Sequence, residues 1–111
     1  MYSKELIRGT LKPIILKLLA EHGRMYGYEI CQKVKELTSN EIIIKEGSLY
    51  PALYKLKAEG LVEVESIEVD NRTRQYYSLT DKSQAMAKEQ VNEFSLFLLT
   101  MSRLFKVSSS Y

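Results

Sequence analysis

The chain has no tryptophan, one cysteine, one histidine and only two prolines among its 111 residues. A lone cysteine cannot close an internal disulfide, and Cys31, in an apolar stripe, reads as a small core residue; redox sensing would require exposure and a lowered pKa. A lone histidine, with no CxxC, HxxxH or acidic cluster, supplies no metal-ligand set. His22 instead precedes Gly23 at a helix end, where an imidazole suits the terminal carbonyls. None of the five glycines builds a phosphate-cradling loop. No apolar run reaches membrane-span length and no signal peptide is visible, so a cytoplasmic protein is expected. Neither sign of charge dominates: sixteen basic against fourteen acidic residues leave +2, which excludes a uniformly basic histone-like binder. Any polyanion-binding surface must be local. The sequence shows no catalytic apparatus and implies no cofactor and no metal.

What is present is a core. Hydrophobic residues make up 45% of the chain, enough for one domain with a helical extension. Leu11, Ile14, Ile15, Leu18 and Leu19 follow helical spacing, so a helix is expected from Leu11 to about His22. Thr10 would cap it, Pro13 would fall in its first turn and Gly23 would end it. A second helix is expected from Gly27 to Leu37, with Ile30, Cys31, Val34 and Leu37 inward and Gly27 close to a neighbouring backbone. Thr38-Ser39-Asn40 closes that helix, and Glu41 to Ile44 reads as a short extended piece.

The segment from Gly47 to Glu65 carries the most functional information. Leu49, Leu53 and Leu56 share one buried stripe. The opposite face carries Tyr50, Tyr54 and Lys57, with Ser48 at the N-terminal end and Lys55 on the flank. Tyrosine and lysine are ordinary solvated residues, but a helix that hides leucines and presents hydroxyls and ammonium groups also suits a polyanion, as a DNA-recognition helix does. After Gly60, Leu61 to Glu65 alternates apolar and acidic residues as a half-buried strand. Arg74 to Leu79 reads as its partner across a polar turn, Val69 to Thr73, with Arg72 and Arg74 at the tip. A helix followed by an arginine-tipped hairpin is the arrangement of a winged helix-turn-helix. The predicted fold is therefore mainly α with a small β-hairpin (α+β).

Ile15 to Glu21, Met25-Tyr26-Gly27-Tyr28-Glu29-Ile30, Glu46 to Leu53, Glu59-Gly60-Leu61-Val62 and Tyr76-Tyr77-Ser78-Leu79-Thr80 together resemble the PadR-like transcriptional regulators, in order and spacing. Lys45 and Glu46 depart from that pattern where proline or serine is common before the recognition helix. Ser83 stands where the family often has glycine, leaving Thr80 and Asp81 to cap the last helix. The resemblance implies a dimeric repressor acting on double-stranded DNA at a near-palindromic operator.

From Asp81 to about Val107 neither proline nor glycine occurs. Ala87, Val91, Phe94, Leu98, Met101 and Phe105 form a coiled-coil-like seam, widened by Phe97 and Leu104. Such a helix spans roughly 40 Å, longer than a three-helix core covers, which favours a second chain; the resemblance implies a homodimer through this helix, aided by Tyr2 to Ile7. The resemblance further implies a small aromatic effector between the long helices, lined by Phe94, Phe97, Leu98 and Met101; a dry interface would use the same residues. The expected organisation is a winged-helix domain over 1–80, a dimerisation helix over 81–107 and a flexible tail over 108–111. A winged-helix module that binds protein without DNA is the alternative. It would favour exposed apolar residues on the third helix, where this chain has tyrosine and lysine.

Overall fold

Leu11, Ile15, Leu16, Leu18 and Leu19 are buried, and the helix that carries them, α1 (Lys4–His22), forms the floor on which the rest of the chain packs. The computed structural model describes residues 2–107; the expected tail at 108–111 lies outside the described residues. α1 starts well before its leucine stripe. Its N-cap is Ser3, whose hydroxyl accepts the Leu6 N–H at 3.2 Å, and not Thr10, whose hydroxyl donates to the Ile7 carbonyl at 2.9 Å from inside the helix. Pro13 therefore lies within the helix and not in its first turn. It deprives the Gly9 carbonyl of a partner, but Gly9 is exposed and water can take its place. Pro51 repeats this arrangement with exposed Gly47 in the third helix. Gly23 ends α1 as expected, at φ 76°, its N–H donating to the Leu19 carbonyl at 3.0 Å.

β1 (Met25–Tyr26) leads directly into α2 (Gly27–Leu37), where Ile30 and Val34 are buried and Cys31 is half-buried. Leu37, on the same face as Ile30 and Val34, is nevertheless exposed, because it is the last residue of α2 and lies outside the core cluster. Ser39 and Asn40 then reverse the chain at φ 50° and 67°. The following segment is irregular and buries Ile44 while exposing Ile43. α3 (Glu46–Ala58) starts two residues ahead of Ser48 and buries Leu49, Leu53 and Leu56.

Gly60, at φ 78°, turns α3 into β2 (Val62–Val69), which pairs antiparallel with β3 (Arg72–Leu79). The strands are longer than the sequence suggests. Asp70 and Asn71 alone make the turn, at φ 49° and 62°, the two left-handed positions of a type I′ hairpin. The hairpin also gains a third strand: β1 pairs with β3 at Met25↔Tyr77 and Tyr26↔Tyr76, giving the order β1-β3-β2. Met25, Val62, Tyr77 and Leu79 complete the core.

The last helix does not begin at Asp81. Asp81–Ser83 forms a 3-10 turn, and α4 (Gln84–Leu104) follows. Thr80 and Asp81 give α4 no side-chain cap. Instead the Thr80 hydroxyl donates to the Gly60 carbonyl at 2.9 Å, and the buried Ser83 hydroxyl to that of Leu61 at 2.7 Å. These bonds fasten the start of α4 to the corner between α3 and β2. α4 packs along α1, buries Ala87 and rests Val91 against the same core. Beyond that point most of its apolar side chains are exposed, with only Phe94 and Met101 half-buried, and the molecule is 50 Å long.

Candidate nucleic-acid interface

The leucine stripe of α3 fixes which side chains remain outside. Tyr54, Lys55 and Lys57 are exposed, and Tyr54 is the more exposed of the two α3 tyrosines, at 59%. Tyr50 does not stand beside it as an equal. Its ring is half-buried against α2, its hydroxyl end over Gly27, where a methyl group would come within 2.8 Å of the ring carbon Cζ. Gly27 is thus needed for approach of this ring and not, as expected, of a neighbouring backbone. Burial, followed by the Glu46 carboxylate, pushes the Tyr50 phenol above its ordinary pKa, so it remains a neutral hydrogen-bonding group. Tyr54 leans on Tyr50, with ring centroids 6.1 Å apart. Tyr50 thus serves as a backing for Tyr54 as well as an edge of the exposed surface.

Ser48 and Lys55 lie on the opposite flank of α3, along an open groove against α1 that also holds Arg8 and Lys12. Lys12 reaches Glu59 at 3.8 Å, whereas Arg8 and Lys55 have no ion-pair partner among the described residues. Sequence spacing alone did not single out Arg8 or Lys12, since the expected first helix began after Arg8. The exposed charge of α3 therefore continues onto α1.

Arg72 opens β3 at the wing tip, paired with Val69 and fully exposed. Arg74 does not share the tip; it lies two residues along the strand, opposite Ile67, with its guanidinium 4.6 Å from the centre of the Tyr26 ring. The Tyr76 hydroxyl beside it, with Tyr26 and Asp70 nearby, holds that group protonated even more firmly than a free arginine. His22, for its part, meets Glu21 at 4.0 Å and makes no bond to a helix carbonyl. Among the described residues no His, Cys, Asp and Glu group could hold a metal, and no helix is long and apolar enough to cross a membrane.

The α4 residues divide. Val91 belongs to the intrachain core, Phe94 and Met101 are half-buried, and Phe97, Leu98 and Phe105 are exposed. Leu96, Leu99, Leu104 and Val107 are exposed as well, so the uncovered apolar surface is broader than the seam. Tyr2 and Leu6 at the start of α1 are also exposed.

A helix-turn-helix made of α2 and α3, closed by a two-stranded wing and followed by a long helix, defines a winged-helix fold. The profile of the transcriptional regulator PadR-like family matches residues 15–89, and the chain belongs to that family. It is 38% identical over 96 residues to an uncharacterized protein of Lysinibacillus sphaericus, covering 86% of this chain and 87% of that one. A transcriptional regulator of Clostridium thermocellum superposes with a TM-score of 0.77 at 32% identity, covering 93% of this chain and 97% of the other. A PadR-like transcription factor of Bacteroides fragilis does so at 0.71 and 31% identity, with 90% and 94% coverage. The protein is a DNA-binding regulator by family, not an enzyme.

Proposed function

We propose that the protein is a dimeric cytoplasmic repressor that binds a near-palindromic operator. The observation that carries the reading is that α3 exposes Tyr54, Lys55 and Lys57 and the hairpin that follows it carries Arg72 and Arg74. Tyr54, backed by Tyr50, reaches base edges in the major groove, while Ser48, Lys55 and Lys57 meet phosphates and the two arginines anchor the wing. A second copy covers the apolar side of α4, which sets two recognition helices about one helical turn, roughly 34–36 Å, apart. Phe94, Phe97, Leu98 and Met101 supply the aromatic and thioether surface for a planar hydrophobic effector that changes the angle between the heads. A protein-binding module without DNA would leave the polar face of α3 unexplained.

Genomic fragments captured by the purified protein, then titrated by fluorescence anisotropy, test the reading. Operator duplexes should bind more tightly than scrambled ones, with a steep salt dependence, and Tyr54→Ala should narrow that difference by about 1–3 kcal/mol. Absence of binding even at low salt would replace the DNA reading with the interaction module. Repeating the capture with planar aromatic compounds tests the effector: release of DNA supports it, and unchanged capture places the signal elsewhere.

A further inference from the structure

Two arginines stack on one pair of tyrosines, and their charges meet different fates. The Arg24 guanidinium lies 5.3 Å from the Tyr76 ring centre and Arg74 lies 4.6 Å from that of Tyr26, while the two rings meet edge to face at 5.3 Å. Arg24 is neutralised by Glu65 at 2.9 Å. Among the described residues Arg74 has no carboxylate within ion-pair distance, and the residue opposite it on β2 is the apolar Ile67. The Tyr26 ring is fixed independently of the wing tip. Its backbone pairs with Tyr76, its N–H donates to the Glu29 carboxylate at 3.0 Å at the start of α2, and its ring stacks with Tyr28 at 6.4 Å.

We infer that Tyr26 is a positioning residue for DNA contact: its ring holds the Arg74 guanidinium extended, so that an unpaired cation is presented to a backbone phosphate. The inference rests on the reading of Arg74 as a DNA contact. An arginine stacked on a ring keeps its N–H edge free for a phosphate while giving up much of its rotamer freedom before binding. Less freedom then remains to be lost in the complex. Because Tyr26 is also the N-cap residue of α2, its backbone N–H bound by Glu29, the same residue ties the helix-turn-helix to the wing.

The test is a double-mutant cycle on the full-length protein, read by anisotropy with a mixed-sequence duplex of about three helical turns across a salt series. Tyr26→Leu should weaken binding about two- to fivefold and Tyr26→Phe should not, since phenylalanine keeps the ring. Arg74→Ala should weaken binding more and flatten the slope of log affinity against log salt by about 0.9 per head. In the Arg74→Ala background, Tyr26→Leu should add nothing. Equal loss in both backgrounds, no loss in either, or a Tyr26→Phe variant as weak as Tyr26→Leu overturns the inference. Should Tyr26→Leu melt too early to assay, Arg74→Lys replaces it: this variant keeps the charge without the planar stack, and wild-type affinity would count equally against the proposal. Wild-type protein that fails to bind at low salt, or Arg74→Ala with unchanged affinity, breaks the underlying DNA reading instead.

Discussion

α1 and α4 are of nearly equal length, 19 and 21 residues, yet five residues of α1 are buried and only Ala87 of α4 is. Both carry ample leucine. The difference is that α1 meets α3, β3 and α4 within one chain, whereas the distal half of α4 extends past everything that could cover it. Leu96, Leu99 and Leu104 are each more than 60% exposed, a contiguous apolar surface of the kind that marks association. One helix completes a fold; the other is left with the apolar side that the proposed second copy would cover.

Substitutions in the two helices should separate these roles. Ile15→Ala, at a fully buried site, is expected to cost about 2–5 kcal/mol in urea unfolding, whatever the protein concentration. Leu98→Glu on exposed α4 should leave the head folded but abolish association, so that melting no longer rises with concentration. Sedimentation of Leu98→Glu as the wild-type species would remove the contrast between the helices. Within the head, Gly27→Ala should cost about 1–3 kcal/mol because the methyl group displaces the Tyr50 ring. Tyr50→Leu should recover part of that loss; identical costs in both backgrounds would show that the ring is not what the glycine accommodates.

Alkaline pH should sharpen the contrast further. Burial is the first cause that raises the pKa values of Cys31, Tyr50 and Tyr77, all in the head. Groups that hold their protons more tightly when folded contribute stability fully below their ordinary pKa values and lose it as pH climbs through the raised ones. The urea midpoint should therefore hold near pH 8 and fall toward about pH 11, and Leu98→Glu should show the same decline. A flat profile would mean that these groups are equally solvated in the unfolded chain. Smallest of all, Glu65→Ala should cost under about 1 kcal/mol despite its ion pair with Arg24, because both partners are exposed.

The leucines of α3, the stop at Gly23 and the Asp70-Asn71 reversal were legible because each has a local cause: periodicity, a left-handed glycine, a hairpin turn. β1 was not, since two residues carry no period, and Tyr26 acquires its meaning only when β3 arrives beside it. The start of α1 was obscured by Thr10 and Pro13, which read as a cap and a first turn but lie inside a longer helix. Tyr50 and Tyr54 lie on the same side of a helical projection. Only the packing of α2 across α3, which brings Gly27 under one ring and not the other, separates a backing residue from a free one. The arginines of the wing were visible as charge, but Arg24 was not, and the contrast between Arg24, neutralised by Glu65, and Arg74, stacked on Tyr26, arises only when β1 pairs with β3.

The buried Ser83 hydroxyl gives the molecule a fulcrum. With Thr80 it clamps the carbonyls of Gly60 and Leu61, and the helix beyond contains neither glycine nor proline to absorb a bend. Torque applied at the far end of α4 therefore arrives at the α3–β2 corner without slack. Over the length of α4 a tilt of about 5° sweeps the far end through only about 3 Å, less than the width of one aromatic ring. In the proposed dimer, a shift of that size between the two copies of α4 would re-aim α3.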